Sequence, residues 1–140
     1  MADVHTPEQR SYNMSQIRGK NTKPEELVRK YLFSKGFRYR KNDSKLPGKP
    51  DIVLPKYKTV IFVNGCFWHG HKGCRYFVWP KNNAEFWREK ISGNIQRGRQ
   101  NHQLLKQQGW YVIDIWECEL KKGTIRQTLN HLVQELHSRQ

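Results

Sequence analysis

Three cysteines and a histidine constrain the fold of this chain more than any other feature of its sequence: Cys66, His71, Cys74 and Cys118. The first three follow the pattern Cys-x4-His-x2-Cys within residues 64–80, a segment rich in glycine and aromatic residues but poor in aliphatic ones. Such a segment cannot hold a shape by apolar burial alone, and the set matches closed tetrahedral zinc. His69 is an alternative ligand to His71. The competing interpretation is a buried free thiol at Cys118 beside incidental loop cysteines.

The charge of the chain predicts a polyanionic partner. Lys and Arg number 26 against 12 for Asp and Glu, which gives a net charge of +14. Because basic residues are spread from Arg10 to Arg139, the charge belongs to a folded surface and not to a tail.

A length of 140 residues with 36% hydrophobic content predicts one compact domain over 1–140. Residues 1–20 are expected to form a basic arm or short helix that contacts DNA phosphates.

The location of the protein follows from what its sequence lacks. No apolar run approaches the roughly 20 residues that span a bilayer, and residues 1–10 have no signal-peptide pattern. The odd number of cysteines, placed among histidines, favours metal binding over a disulfide framework. We therefore expect a cytoplasmic protein without membrane contact.

Periodicity and capping signals predict three helices and a mixed sheet. Thr22 and Glu25 form a capping box that opens a helix through about residue 34. The run at 110–116 is nearly all apolar, which predicts a central strand covered on both faces. This order of elements predicts an α/β fold, a mixed central sheet flanked by helices. The other predicted elements are strands at 37–40, 51–54 and 59–63 and helices at 84–108 and 124–137.

Asp51 is the strongest candidate for catalysis. It follows Pro50 at the start of a strand, with Glu25 on the preceding helix, which is the layout of a PD-(D/E)xK nuclease core. A carboxylate there can hold Mg²⁺ against a scissile phosphate, and His69 can move a proton to or from water. The structural alternatives are Glu25 as the capping partner of Thr22 and His69 as a surface histidine.

Several uncommon sequence words occur in one order along nearly the whole chain: LPGKPD (46–51), VIFVNGCFWH (60–69), EFW (85–87) and WEC (116–118). With residues 1–5 and 13–14, they resemble the very-short-patch repair (Vsr) endonucleases. Those enzymes nick DNA 5′ to the T of a T:G mismatch left by deamination of 5-methylcytosine. The resemblance implies a restriction-endonuclease-like fold with Mg²⁺ in the active site and one structural zinc.

The resemblance also implies roles for individual residues. It makes Asp51 a Mg²⁺ ligand beside the main-chain carbonyl of Val63, and His69 a general base or acid. Glu25 and Asn64 belong to the same catalytic group. For zinc, it favours His71 over His69, together with the three cysteines.

Three aromatic side chains, Phe67, Trp68 and Trp87, are implied to wedge into the DNA beside the mismatch. Flat apolar side chains replace lost base stacking there, and a mismatched step opens more cheaply than a paired one. Ordinary core packing is the alternative for these residues. Phosphate contacts are expected from the helix at 84–108, with Lys90, Asn94 and Arg97 as the candidates.

The chain departs from the family pattern at three positions. Val63 stands where a threonine occurs, which matters little if only its carbonyl binds metal. Asn64 stands where a histidine or an acid can occur, which would weaken a partner of the metal waters. Gly98 stands where we expect an aspartate, so activity is reduced if that carboxylate orients His69.

Two other functions fit part of the sequence. One is a restriction-type nuclease of the same fold that cuts matched duplex, and the other is a zinc-stabilised module that binds distorted DNA without cutting it. Because a mismatch is asymmetric, we expect a monomer, with contacts to other mismatch repair proteins as a further expectation.

Overall fold

The elements of the fold are known from a computed structural model that describes residues 22–139. The arm expected at 1–20 lies outside these residues. The helices are α1 (Lys23–Ser34), α2 (Ala84–Gln107) and α3 (Ile125–His137). The strands are β1 (Arg40–Lys41), β2 (Ile52–Leu54), β3 (Thr59–Asn64) and β4 (Tyr111–Trp116), and short 3-10 turns follow β2 and β4 at Pro55–Tyr57 and Glu117–Leu120.

The start of α1 is fixed by the predicted capping box. The Glu25 amide donates to Thr22 Oγ1 at 3.4 Å, and the Thr22 amide donates to Glu25 Oε2 at 3.2 Å. These two bonds satisfy amide groups that the first helical turn would otherwise leave free. On the inner face of α1, Val28 and Leu32 are fully buried.

The sheet is mixed, as the sequence predicts, with the strand order β1-β2-β3-β4. Strands β1, β2 and β3 pair antiparallel, whereas β3 and β4 pair parallel, with Ile61 opposite Ile113 and Asn64 opposite Trp116. Ile61 and Ile113 belong to the main core, which α1 and α3 close on one face. A smaller core under α2 covers the other face and contains Val60 and residues near it. The described chain is therefore an α/β structure of one mixed sheet and three helices.

The strand predicted at 37–40 is wrong in position. The structure forms only Arg40–Lys41 there, because β1 pairs with two residues of the short strand β2. Phe37 instead lies in the main core at 3% exposure, where its ring contacts Tyr57 and His137 with centroids 5.4 and 5.6 Å apart.

The strand predicted at 110–116 forms and is covered by helices on both faces, but its predicted central position in the sheet is wrong. Within residues 22–139, β4 pairs only with β3 and forms an edge of the sheet. Ile113 and Ile115 face α1 and α3, whereas Val112 and Asp114 face α2, and of these four residues only Asp114 is exposed. Apolar residues at 110, 112 and 116 hide this alternation in the sequence.

Helix α2 carries the predicted apolar stripe, of which Ile91 and Leu105 are fully buried. It ends before Gly109, whose φ of +88° lies in the left-handed region that favours glycine. No helix within residues 22–139 combines the length and apolar character needed to cross a membrane.

Two glycine substitutions test the packing of α2. An ideal Cβ at Gly98 meets nothing within 4 Å, so Gly98→Ala should raise the free energy of unfolding by about 0.5 to 1 kcal/mol. At Gly70 the φ is +56°, and an added Cβ would lie 2.9 Å from side-chain atoms of Ile91 and Ile95. Gly70→Ala should therefore lower the free energy of unfolding by about 1 to 3 kcal/mol. Urea unfolding measures both changes. A loss of stability in Gly98→Ala would contradict the open position seen here.

Candidate active site and metal centre

Residues at the C-terminal end of β3, and on the loop that follows it, contribute to two groups of polar atoms. The carboxylate site consists of Asp51, Glu25 and the Val63 peptide. The thiol cluster consists of Cys66, His71, Cys74 and Cys118. Because β3 and β4 run parallel and Asn64 lies opposite Trp116, the segments that leave both strands emerge side by side. This pairing carries Cys118 back to the loop that follows β3.

The thiol cluster has the dimensions of a tetrahedral metal site. The four ligand atoms, three Sγ atoms and one His71 ring nitrogen, all lie within 4.8 Å of one another. Cys118 Sγ is 3.5 Å from His71 Nδ1. A tetrahedral zinc with ordinary bond lengths separates a sulfur and a nitrogen ligand by roughly 3.6 Å, so the donor set fits such an ion. His69 is not part of this group.

Hydrogen bonds and ring stacking hold the side chains of the thiol cluster in place. Backbone amides of Cys118 and Tyr76 donate to the Sγ atoms of Cys66 and Cys74, both at 3.4 Å. The His71 ring stacks on Trp116 with centroids 3.9 Å apart and planes 5° apart. Burial is the main cause that raises the pKa of the Cys66 thiol, to about 12. A bound cation would be needed to hold that sulfur as thiolate at neutral pH.

In the carboxylate site, Asp51 joins β3 to α1. Its Oδ2 accepts a hydrogen bond from the Val63 amide at 2.7 Å, and its carboxyl shares a hydrogen bond with Glu25. Glu25 is 3% exposed, and its Oε2 lies 3.4 Å from Arg29 Nη1 in a buried ion pair. Glu25 therefore acts as a helix cap and also touches Asp51, so the two interpretations of this residue do not exclude each other.

Electrostatics make the carboxylate site a good place for a cation. Burial, then the hydrogen bond with Glu25, raise the pKa of Asp51 to about 8, although the Val63 amide and the Arg29 charge act in the opposite direction. Two carboxyl groups in contact must share a proton, or a cation must take its place. A divalent ion bound by oxygen ligands fits this arrangement.

His69 lies on the loop that follows β3, between Cys66 and His71 in sequence, and is half-buried. Its amide donates to the Gly65 carbonyl at 3.2 Å, and its ring meets Trp116 edge-on with centroids 6.4 Å apart. Burial lowers the pKa of His69, the charge of Asp114 partly offsets this, and His102 lowers it further. The ring is therefore neutral at pH 7 and free to accept a proton.

Asn64 is directed away from Asp51. It is buried, and its Nδ2 donates to Asp114 Oδ1 at 3.1 Å. Asp114 also lies 3.3 Å from His102 Nε2 on α2. The sequence interpretation overlooked Asp114 and His102, although an aspartate inside an otherwise apolar strand was a visible signal.

The three aromatic residues implied to enter DNA pack on one another. Phe67, Trp68 and Trp87 are half-buried, with ring centroids 5.3 to 5.7 Å apart in each pair. They lie outside both hydrophobic cores, so ordinary core packing does not describe them. Further aromatic residues that the sequence interpretation missed extend this aromatic cluster, namely Phe77, Trp79 and Phe86.

Of the three polar side chains predicted to contact phosphates from α2, one binds the loop at 64–80 and two are exposed to solvent. Asn94 Nδ2 donates to the Trp68 carbonyl at 2.9 Å, and Arg97 donates to Asn94 Oδ1. Asn94 therefore anchors the loop that carries the aromatic cluster. Lys90 and Arg97 are exposed. Gly98 lies among them, with open space where a side chain would begin.

Replacing Asp51 by asparagine should stabilise the protein without added divalent cations. An amide avoids the penalty that burial and Glu25 impose on the carboxylate, so we expect a gain of about 1 to 2 kcal/mol in the free energy of unfolding at pH 8. The folded protein holds a proton on Asp51 up to about pH 8, whereas the unfolded chain releases it near pH 4. The stability of the wild type should therefore fall over this range relative to Asp51→Asn.

Urea unfolding at pH 5 and pH 8 measures this difference. Asp43→Asn is the matched control, because the Asp43 carboxylate accepts a hydrogen bond from the Lys45 amide in an exposed turn, away from Asp51. An equal gain for Asp51→Asn at both pH values would contradict the burial described for this carboxyl.

Known proteins resemble this chain over most of its length. Residues 2–75 match the family model of the DNA mismatch endonuclease Vsr. The type II nicking enzyme V.NmeAIP of Neisseria meningitidis serogroup A is 54% identical over 137 residues, which cover 97% of this chain and 97% of that protein. The type II nicking enzyme V.XorIIP of Xanthomonas oryzae is 44% identical, covering 95% and 98%. The DNA mismatch endonuclease Vsr of Escherichia coli is 43% identical, covering 86% and 77%.

Proposed function

This chain belongs to the Vsr family of DNA mismatch endonucleases, and we propose that it nicks one strand of a duplex 5′ to the T of a T:G mismatch. Membership makes the protein a DNA endonuclease, so the interpretation as a non-catalytic DNA-binding module is wrong. The observation that carries the proposal is the contact of Asp51 with Glu25 beside the Val63 peptide. Relatives named as nicking enzymes support cutting of a single strand.

The fold that we propose is the restriction-endonuclease-like PD-(D/E)xK core. Its support is the arrangement of an aspartate at the start of β2, a glutamate on α1 and a mixed sheet between helices. We also propose that residues 1–140 form one domain, with 1–20 as an arm that contacts DNA. The basic residues of that segment support this role, since they can neutralise phosphate charge.

Asp51 and the Val63 carbonyl would hold Mg²⁺, and Glu25 and Asn64 would support them. When bound, the ion supplies positive charge that neutralises the scissile phosphate. His69, neutral and half-buried, takes a proton from the attacking water, and the protonated ring so formed can give a proton to the leaving oxygen. Contact between the carboxyls of Asp51 and Glu25 supports this assignment, because a cation relieves their repulsion.

DNA binding in this proposal uses the aromatic cluster and α2. Phe67, Trp68 and Trp87 insert beside the mismatch, where their rings replace base stacking. Lys90 and Arg97, with Asn94 beside them, contact the phosphates. The net charge of +14 supports this assignment, and it requires that binding weaken steeply as salt rises.

The metal of the thiol cluster is proposed to be zinc in a structural role. A Cys3His donor set without an open position is typical of structural zinc, and the loop at 64–80 contributes only Cys66 to the buried hydrophobic core. We further propose a monomer that acts in the bacterial cytoplasm, where cysteines stay reduced, and that contacts other mismatch repair proteins. The asymmetry of a mismatch supports a single copy.

Nicking of oligonucleotide duplexes tests the substrate. With Mg²⁺, the wild type should nick the T strand of a T:G duplex at least about a hundredfold faster than the same strand in a T:A duplex, because a mismatched base is cheaper to unstack. Denaturing electrophoresis of each labelled strand measures the rates and the site of cutting. Equal rates on both duplexes would favour the restriction-type alternative.

Asp51 should be required for cutting and not for binding. Asp51→Asn should lower the nicking rate by at least about a thousandfold while the dissociation constant for T:G duplex changes little. Asp43→Asn removes one negative charge elsewhere and should retain the wild-type rate. A variant Asp51→Asn that still cuts in the presence of Mg²⁺ would remove Asp51 from the active site.

The metal of the thiol cluster can be measured directly. Elemental analysis should find one zinc per chain, and its removal should lower the melting temperature by on the order of 10 °C, with recovery on adding Zn²⁺ and not Mg²⁺. His71→Ala should lose the ion, whereas the neighbouring variant His69→Ala should keep it. Retention of zinc by His71→Ala would exclude this ligand set.

A further inference from the structure

Asp114 is an unusual residue for its position in β4. Its neighbours Ile113 and Ile115 are buried in the core that α1 and α3 close, so Asp114 lies on the opposite face, under α2. Aspartate is depleted in strands, because its carboxylate gains nothing from packing on a pleated surface. Packing does not explain the aspartate, so its polar contacts on that face are the features to examine.

Two side chains from separate elements provide these partners. Asn64, the last residue of β3, donates from Nδ2 to Asp114 Oδ1 at 3.1 Å, and His102 Nε2 on α2 lies 3.3 Å from the same oxygen. The His102 ring also packs on Phe62 with centroids 5.2 Å apart. Asp114 thus connects the end of β3 to the last third of α2.

One of these partners leads to the carboxylate site. Asn64 directly follows Val63, whose amide donates to Asp51 at 2.7 Å. The Asp114 carboxylate is therefore connected to the Asp51 carboxylate through the Asn64 side chain and the adjoining Val63 peptide.

We propose that Asp114 is a positioning residue for strand cutting, which holds Asn64, and through it the Val63 peptide, in register with His102 on α2. The proposal rests on the function assigned above to Asp51 and Val63. Asp114 acts through Asn64 and His102 and does not touch DNA. Removal of the Asp114 carboxylate slows the chemical step. It leaves the affinity for the duplex unchanged, because the aromatic cluster and the basic residues Lys90 and Arg97 on α2 are not altered.

A purely structural contact between Asp114 and His102 would behave differently. The Asp114 and His102 side chains are 31% and 30% exposed, and pairs at that exposure contribute little to stability. Removal of a merely structural pair would change neither the rate constant of cutting nor the affinity by a measurable amount.

The first test is Asp114→Asn in the full chain. Asparagine keeps an oxygen that can accept from Asn64 but replaces the carboxylate that His102 contacts. Single-turnover cutting with enzyme in excess should be slower by about 10- to 100-fold, the effect typical of residues that support metal ligands. The dissociation constant for the duplex should change by less than about twofold, since no DNA contact is lost.

The matched control is Glu135→Gln on α3, across the sheet from α2. It also removes one negative charge, and among residues 22–139 its carboxylate accepts from the Tyr111 hydroxyl alone, at 2.5 Å. Wild-type cutting by this variant and slow cutting by Asp114→Asn would support the proposal. Equal rates for Asp114→Asn and wild type would overturn it.

His102 provides a second test that does not depend on the folding of a strand variant. His102→Leu should slow cutting as Asp114→Asn does, and His102→Gln, which keeps a donor for the carboxylate, should recover at least part of the rate. The double variant Asp114→Asn with His102→Leu should be no slower than either single variant. The pairing would be overturned if the two substitutions slowed cutting by factors that multiply in the double variant. It would also be overturned if they weakened duplex binding without changing the rate constant of cutting.

The substrate for these measurements is whichever duplex the wild type cuts fastest. If the wild type cuts matched duplex as fast as a T:G duplex, the mismatch proposal fails, and the ratio of variant to wild-type rates still decides the role of Asp114. If the wild type prefers the T:G duplex and Asp114→Asn keeps its rate, only the inference about Asp114 fails.

Discussion

The meeting of three thiols with one imidazole is the interaction on which the rest of the structure depends. The loop at 64–80 carries His69 and most of the aromatic cluster, yet its only buried hydrophobic residue is Cys66. Its shape therefore comes from ligand atoms within 4.8 Å of one another and from backbone hydrogen bonds. Cys118, in the turn that follows β4, connects this loop to the sheet. The positions of His69 and the aromatic residues on the loop therefore depend on the thiol cluster.

One strand supplies both polar groups. Val63 meets Asp51, Asn64 meets Asp114, and Cys66 enters the thiol cluster, all within four residues of the end of β3. Alternation along a strand sends successive side chains to opposite faces, which separates groups that would otherwise compete. The parallel partner β4 then delivers Cys118 at the same end of the sheet.

Sequence patterns predicted the parts of this molecule that depend on local chemistry. The capping box at Thr22 and Glu25, the helix stop at Gly109 and the cysteine spacing each encode a short-range contact. The edge position of β4, the burial of Phe37 and the pairing of Asp114 with His102 depend on which elements become neighbours. No pattern within one segment encodes that information, so the apolar run at 110–116 suggested a central strand, and the contact between Glu25 and Asp51 became visible only in three dimensions.

The dual use of Glu25 limits how this protein can change. The same carboxyl group accepts the Thr22 amide, pairs with Arg29 and touches Asp51. A substitution of Glu25 therefore acts at two places, the start of α1 and the surroundings of the Asp51 carboxyl. Any stability gained or lost at the first turn of α1 through this residue also changes the protonation of Asp51.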